Sequence, residues 1–454
     1  MPNEFESWED VLRSLLGDDA AAQAIESMRA AGLDPAAMGE AAGLPQDRDQ
    51  LMMMVNQVQA MLAASGDGPV NWKLAHDVAR QQVHAGGDPS LTAAEEARVR
   101  QSLQVADLWL DPVTTLGPSR GPRAGLSRAA WVEKTLGTFQ RLAEPVAGSV
   151  VQAIVDTLRA ETGTVEGLGL TGVSATDLLR RLGGAAFGMQ LGSAVATLAR
   201  EAFGFSDIGL PLTDDAAVAL IPRNVDEFGD GLDVPSSEVM QFLAVREVAH
   251  ARLYSGAPWL RSHVLGIVEA YAREISIDTA AMEDAFRAID PSDPQQLRDA
   301  MGSGVFALDV SDGQRQSLAH LETTLAVIEG WVEEVTRQAT QGQLTHVVAL
   351  TEMMRRRRAA GGPAEDTFKN LVGLELRPRR LRDAAALWAN LTATRGMEER
   401  DRLWSHPDLM PSAAELDDPT AFTAARAAAS EDFDDALEAL LNEADGEQAP
   451  DTPA

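Results

Sequence analysis

The stretch that decides the reading runs Asp233-Val-Pro-Ser-Ser-Glu-Val-Met-Gln-Phe-Leu-Ala-Val-Arg-Glu-Val-Ala-His-Ala-Arg-Leu-Tyr-Ser-Gly256. Pro235 with Glu238 shortly after opens a helix, and Gly256-Ala257-Pro258 closes it. Leu243, Arg246, Glu247, His250 and Leu253 share one face at helical spacing. In an ordinary amphipathic helix the middle of such a stripe is apolar. Here Arg246, Glu247 and His250 sit together, while Phe242, Val245, Val248 and Ala249 keep their surroundings apolar. Burying three such groups unpaired is costly, so the spacing predicts partners from elsewhere in the chain.

Outward from this helix, the composition predicts a mainly α protein with at most a short edge strand or small sheet. Ala, Leu, Glu and Arg dominate the 454 residues, and aromatics make up only 5%. Trp72 to Leu110 and Ala130 to Ala160 read as helical, with a glycine- and proline-bearing loop between them around Leu116 to Gly125. Ala216 to Ile221 is the one apolar run short enough for a strand, and Pro222 predicts that it is an edge. Leu182 to Ala199 is apolar for 18 residues but holds Gln190, Ser193 and Thr197, which predicts a buried helix over a membrane span. Gly184, Gly188 and Gly192 give that helix a bare face on which another can pack at close range. Three parts are expected: an N-terminal helical segment over 1–66, a helical body over 67–410, and an acidic, partly disordered tail over 411–454. A short helix near Phe433 to Leu441 is the one element expected well inside the tail.

The formal net charge of −31 argues against binding nucleic acid or an anionic membrane. It is uneven: 1–66 carries −8 and 411–454 carries −11, leaving −12 on the body. Within the body, Gln343 to Arg382 is locally basic, with nine basic and four acidic residues. That stretch reads as a helix face paired to carboxylates, or as an anion site. The absence of cysteine excludes disulfides, thiol nucleophiles, iron–sulfur clusters and cysteine-built zinc fingers. Seven histidines leave few places for a metal. The acidic first residues lack the apolar core of a secretory signal, so a cytoplasmic location is expected.

Arg246-Glu247-Val248-Ala249-His250 resembles the zincin HExxH helix with arginine for its first histidine. With it go Gly68-Pro69-Val70-Asn71-Trp72, Pro258-Trp259-Leu260, Ile328-Glu329-Gly330-Trp331-Val332, Arg355 to Arg358 before Gly361-Gly362-Pro363, Asn370 to Arg380, and Trp404-Ser405-His406-Pro407. Together, over roughly 68–410, these stretches resemble the zincin-like metallopeptidase type 2 family. That bacterial group is often labelled hydrolase or zinc-dependent metalloprotease, and several members are associated with deazaflavin-cofactor biosynthesis.

The resemblance implies a zincin-like helical body, zinc as cofactor, and a peptide or protein substrate. It implies His250 as a metal ligand, Glu247 as general base and Glu329 as third ligand, with Glu269 and Glu274 as the competing third-ligand candidates. His263 is a candidate replacement ligand. Arg246 is the departure, because a guanidinium stays protonated and cannot ligate a metal. At ~5 Å and an effective dielectric of ~20, a divalent ion is opposed by its charge by roughly 6–7 kcal/mol. Two readings stand. In the favoured one Arg246 takes the metal's place in an ion network reaching Glu329, and the site is catalytically silent or altered. In the other, His250 and Glu329 hold zinc and Glu247 activates water to cleave a peptide or amide bond. The sequence names no substrate and fixes no oligomeric state.

Overall fold

Helix-capping chemistry and glycine placement explain most of the observed elements. A computed structural model describes residue 22 and residues 68–162, 175–214, 216–274, 311–359, 380–420 and 422. The expected N-terminal helices, the Phe433 to Leu441 helix and the stretch from Gly361 to Arg379 lie outside the described residues. The described part holds eleven helices and one two-stranded sheet. The mainly α expectation is met.

Helix α1 (Trp72–Ala85) starts where the Asn71 side chain accepts from the Leu74 amide, and α2 (Ala93–Leu110) starts at a Thr92/Glu95 capping box. After α2 the chain forms β1 (Arg123–Gly125), then the long α3 (Arg128–Thr162) and α4 (Ala175–Glu201). The glycine face of α4 lies on α1 and the turn before it. The Asn71 amide donates to the Gly184 carbonyl at 2.9 Å. A Cβ at Gly188 would lie 2.6 Å from the Asn71 carbonyl oxygen, and one at Gly192 would lie 2.5 Å from that of Ala75. Only glycine allows this approach. No helix among the described residues is long and apolar enough to cross a membrane.

The strand expected over Ala216 to Ile221 is shorter and more central than its sequence implied. β2 (Val218–Leu220) pairs in parallel with β1 in the register Arg123↔Val218, and Leu220 bridges to Gly204 on its other side. It is therefore enclosed on both sides rather than an edge. Pro222 instead occupies the first turn of α5 (Pro222–Gly229), where its missing N–H is harmless. The end of the expected loop at Arg123-Ala-Gly carries no strand pattern of its own. It becomes β1 because β2 offers it backbone partners.

The middle of the molecule is built from α6 (Ser236–Gly256), α7 (Pro258–Arg273), α8 (Asp312–Thr340), α9 (Val347–Ala359) and α10 (Leu381–Arg402), which bends at Gly396. A short helix, α11 (Ala413–Asp417), follows two single turns after α10. Helix α6 is buried on every face from Phe242 to Leu253, and α8 from Thr323 to Thr336. A Cβ at Gly330 would lie 2.7 Å from Ala384, so that glycine lets α10 lie directly on α8. Trp331, Trp388 and Trp404 fill the space beside that crossing, with Trp388 stacked on Trp404 at 5.4 Å between ring centroids. The Glu-Gly-Trp triplet thus divides its work: Trp331 and Gly330 pack α8, and Glu329 is left for α6.

Candidate metal centre and the network that fills it

Two helices buried on all sides bring unlike charges face to face. The Glu329 carboxylate of α8 accepts from Arg246 of α6, Nη2 to Oε2, at 2.8 Å. Its Oε1 is 2.9 Å from His250 Nε2 and also 2.9 Å from Nη2 of Arg358 on α9. His250 Nδ1 lies 2.9 Å from the backbone oxygen of Arg246. Both ring nitrogens thus face oxygen atoms of the protein. Burial would push the Glu329 carboxyl up, but the charges of Arg358, His250 and Arg246 outweigh it and hold the group well below the usual carboxylate range.

Glu247 faces elsewhere. Its Oε1 accepts from the Phe205 amide at 2.8 Å and its Oε2 from the Ser206 amide at 3.2 Å. Burial pushes its carboxyl up to about 8; those N–H donors oppose the rise, and the nearby charge of Asp207 adds to it. Gly204 leaves room for the arrangement, since a Cβ there would sit 2.6 Å from the Glu247 carboxyl carbon. The space between Glu247, His250, Arg246 and Arg358 is a cavity of about 10 Å³, room for roughly one water.

Of the seven sequence candidates, the structure brings Arg246, His250 and Glu329 into one hydrogen-bonded cluster, with Glu247 at its margin. Glu269 lies exposed on α7, and Glu274 lies exposed at its C-terminal end beside Gly313. His263 packs edge-on against His320 at 5.2 Å between ring centroids, apart from this cluster. The composition pointed to an arginine run at 355–358, and each of these arginines finds a carboxylate: Arg355 with Glu333, Arg356 with Glu352, Arg357 with Asp207 and Arg358 with Glu329. Sequence reasoning did not place Arg358, Glu333 or Asp207 near the site. Glu333 carried a faint signal, four residues after Glu329 on the same helix. Asp207 carried none, because a loop delivers it. Tyr254, one turn beyond His250, also went unnoticed; burial and the Glu329 charge raise its hydroxyl above the usual tyrosine value.

A family model described as zincin-like metallopeptidase matches residues 70–423. The chain belongs to the zincin-like metallopeptidase family. It is also similar to the crystal structure of a putative hydrolase with a novel fold from Chloroflexus aurantiacus. The two share 16% identity and a TM-score of 0.55 over 79% of this chain and 98% of that one, a likeness of fold. No curated protein matches the chain in sequence. Membership in a zincin-like family implies zinc, and the donor set here does not suit it. Among the described residues no group of three or more His, Asp or Glu is arranged to hold a metal ion. His250 Nε2 and both Glu329 oxygens, the atoms a metal would need, already bond within the protein. Two of the donors satisfying that carboxylate are guanidinium groups, whose charge repels a cation.

Proposed function

We propose that this zincin-like protein carries Arg246 where a catalytic metal would stand, and acts by binding a peptide or protein in the cytoplasm rather than by hydrolysing one. The observation that carries the proposal is the saturated Glu329 carboxylate, bonded at once to Arg246, His250 and Arg358. A zinc ligand must offer a free lone pair. Here both imidazole nitrogens already face protein oxygens, and a permanent cation occupies the sequence position of the first histidine ligand. Glu247, the residue that would activate water, is turned to backbone amides instead.

The second reading, an active zinc-dependent metallopeptidase, draws on one observation. His250 and Glu329 already meet across two helices, as a ligand pair would. Elemental analysis of the purified full chain separates the two. The proposal expects no stoichiometric zinc, and stoichiometric zinc that disappears in His250→Ala overturns it. Arg246→His adds a sharper comparison. If it restores zinc binding together with amidase activity, the fold is a peptidase one residue short. Loss of stability without metal binding is the outcome expected of an arginine network built into the core.

A further inference from the structure

A second cavity, larger than the space at the Arg246 cluster, lies away from it. It has a volume of about 430 Å³ and lies against the sheet, with Ala124 of β1, Val218 of β2, Phe205 and Leu212 contributing its apolar wall. That volume falls within the range of small-molecule sites. The rim carries Lys134 and Arg141 against the single carboxylate of Asp214, which Arg261 also reaches from outside the lining. Arg141 and Arg261 share one carboxylate oxygen of Asp214, at 2.6 and 2.7 Å, which leaves an excess positive charge. Lys134 on the same rim has no carboxylate partner among the described residues.

One residue of the lining points to a ligand independently of charge. Gly137 lies inside α3, exposed, where glycine costs about 0.5–1 kcal/mol relative to alanine. Its φ is not in the left-handed region, and a Cβ added there would meet nothing within 4 Å. Neither backbone conformation nor crowding calls for glycine. What its missing side chain keeps open is the cavity. We infer that this cavity is a binding site for a small amphiphilic carboxylate, its apolar body lying on the sheet and its anionic group at Lys134 and Arg141. The site stands apart from the Glu247 side of the same loop, so the inference does not depend on whether Arg246 excludes a metal.

The test uses the full chain and titration calorimetry with decanoate, its neutral analogue decanamide, and the dipeptide acetyl-leucyl-phenylalanine with its C-terminal amide. The site predicts saturable binding of at least one carboxylate, with its amide at least tenfold weaker. Whichever pair binds identifies the source, a fatty acid or a peptide C-terminus. Gly137→Trp fills the hollow from an exposed helix position and should abolish binding while circular dichroism and Tm stay at wild-type values. Lys134→Met should weaken the carboxylate and leave the amide unchanged. Equal binding of acid and amide, binding unaffected by Gly137→Trp, or no binding of either carboxylate overturns the inference.

Discussion

At Arg246 one substitution changes what a helix can do. An imidazole there would offer a lone pair to a metal; a guanidinium offers only donors and a fixed charge. The surrounding residues complete the exchange, because Glu329 receives Arg246, His250 and Arg358 and is fully enclosed. A buried ion pair is weak evidence for net stability, but removing one partner leaves the others uncompensated. Arg246→Ala should therefore cost about 3–5 kcal/mol in chemical denaturation. Replacing the whole cluster with apolar residues of similar volume, as in Arg246→Met with Glu329→Leu and His250→Leu, should cost much less than the single truncation. A triple variant less stable than Arg246→Ala would show that the network stabilises the core rather than merely avoiding an unpaired charge.

Among the elements, α4 and α8 show glycine serving close approach. At Gly192 the carbonyl of Ala75 and the side chain of Val78 occupy the place of a Cβ, at 2.5 and 2.9 Å. Gly183, on the same helix, would place a Cβ in open space. Alanine normally gains about 0.5–1 kcal/mol over glycine inside a helix. Gly183→Ala should show that gain, whereas Gly192→Ala should lose roughly 1–3 kcal/mol because it forces α1 and α4 apart. Paired Tm measurements check both, and equal shifts of the same sign would remove the close-packing explanation. Helix α6 carries a second lesson. Its sequence suggested one polar stripe in an apolar setting, yet every residue from Phe242 to Leu253 is buried. Arg252, off the expected stripe, also finds carboxylates, those of Asp107 and Asp111. A helix this enclosed positions Arg246, Glu247 and His250 rigidly, which suits either a metal or its replacement.

For the whole molecule, two buried carboxyls shape the pH dependence of stability. Glu329 is held below its ordinary value of 4.5, so it stabilises the fold above that pH and the contribution is lost as acid protonates it. Glu247 is raised from 4.5 to about 8, so the folded state retains a proton that the unfolded chain has lost. Stability should then decline as pH rises through this window, by at most about 1.4 kcal/mol per pH unit. Glu247→Gln should flatten that slope in denaturation curves between pH 5 and 8, even if the amide costs some stability throughout by mismatching the Phe205 and Ser206 donors. An unchanged slope would place the titration elsewhere. Much of this protein was legible from its order of residues. Local rules determined the helical class, the bare face of α4, and the buried polar set of Arg246, Glu247 and His250, because periodicity and side-chain chemistry act over a few residues, and the family resemblance added Glu329. The sequence could not decide that Glu329 rather than Glu269 or Glu274 meets His250, that Arg358 and Asp207 join the cluster, that Arg123 to Gly125 is a strand, or that a cavity opens over Gly137. Each depends on which distant segments lie against one another. Tertiary packing alone settled these, because a buried charge is defined by its partners and a cavity by its walls, and neither is written at one place in the chain.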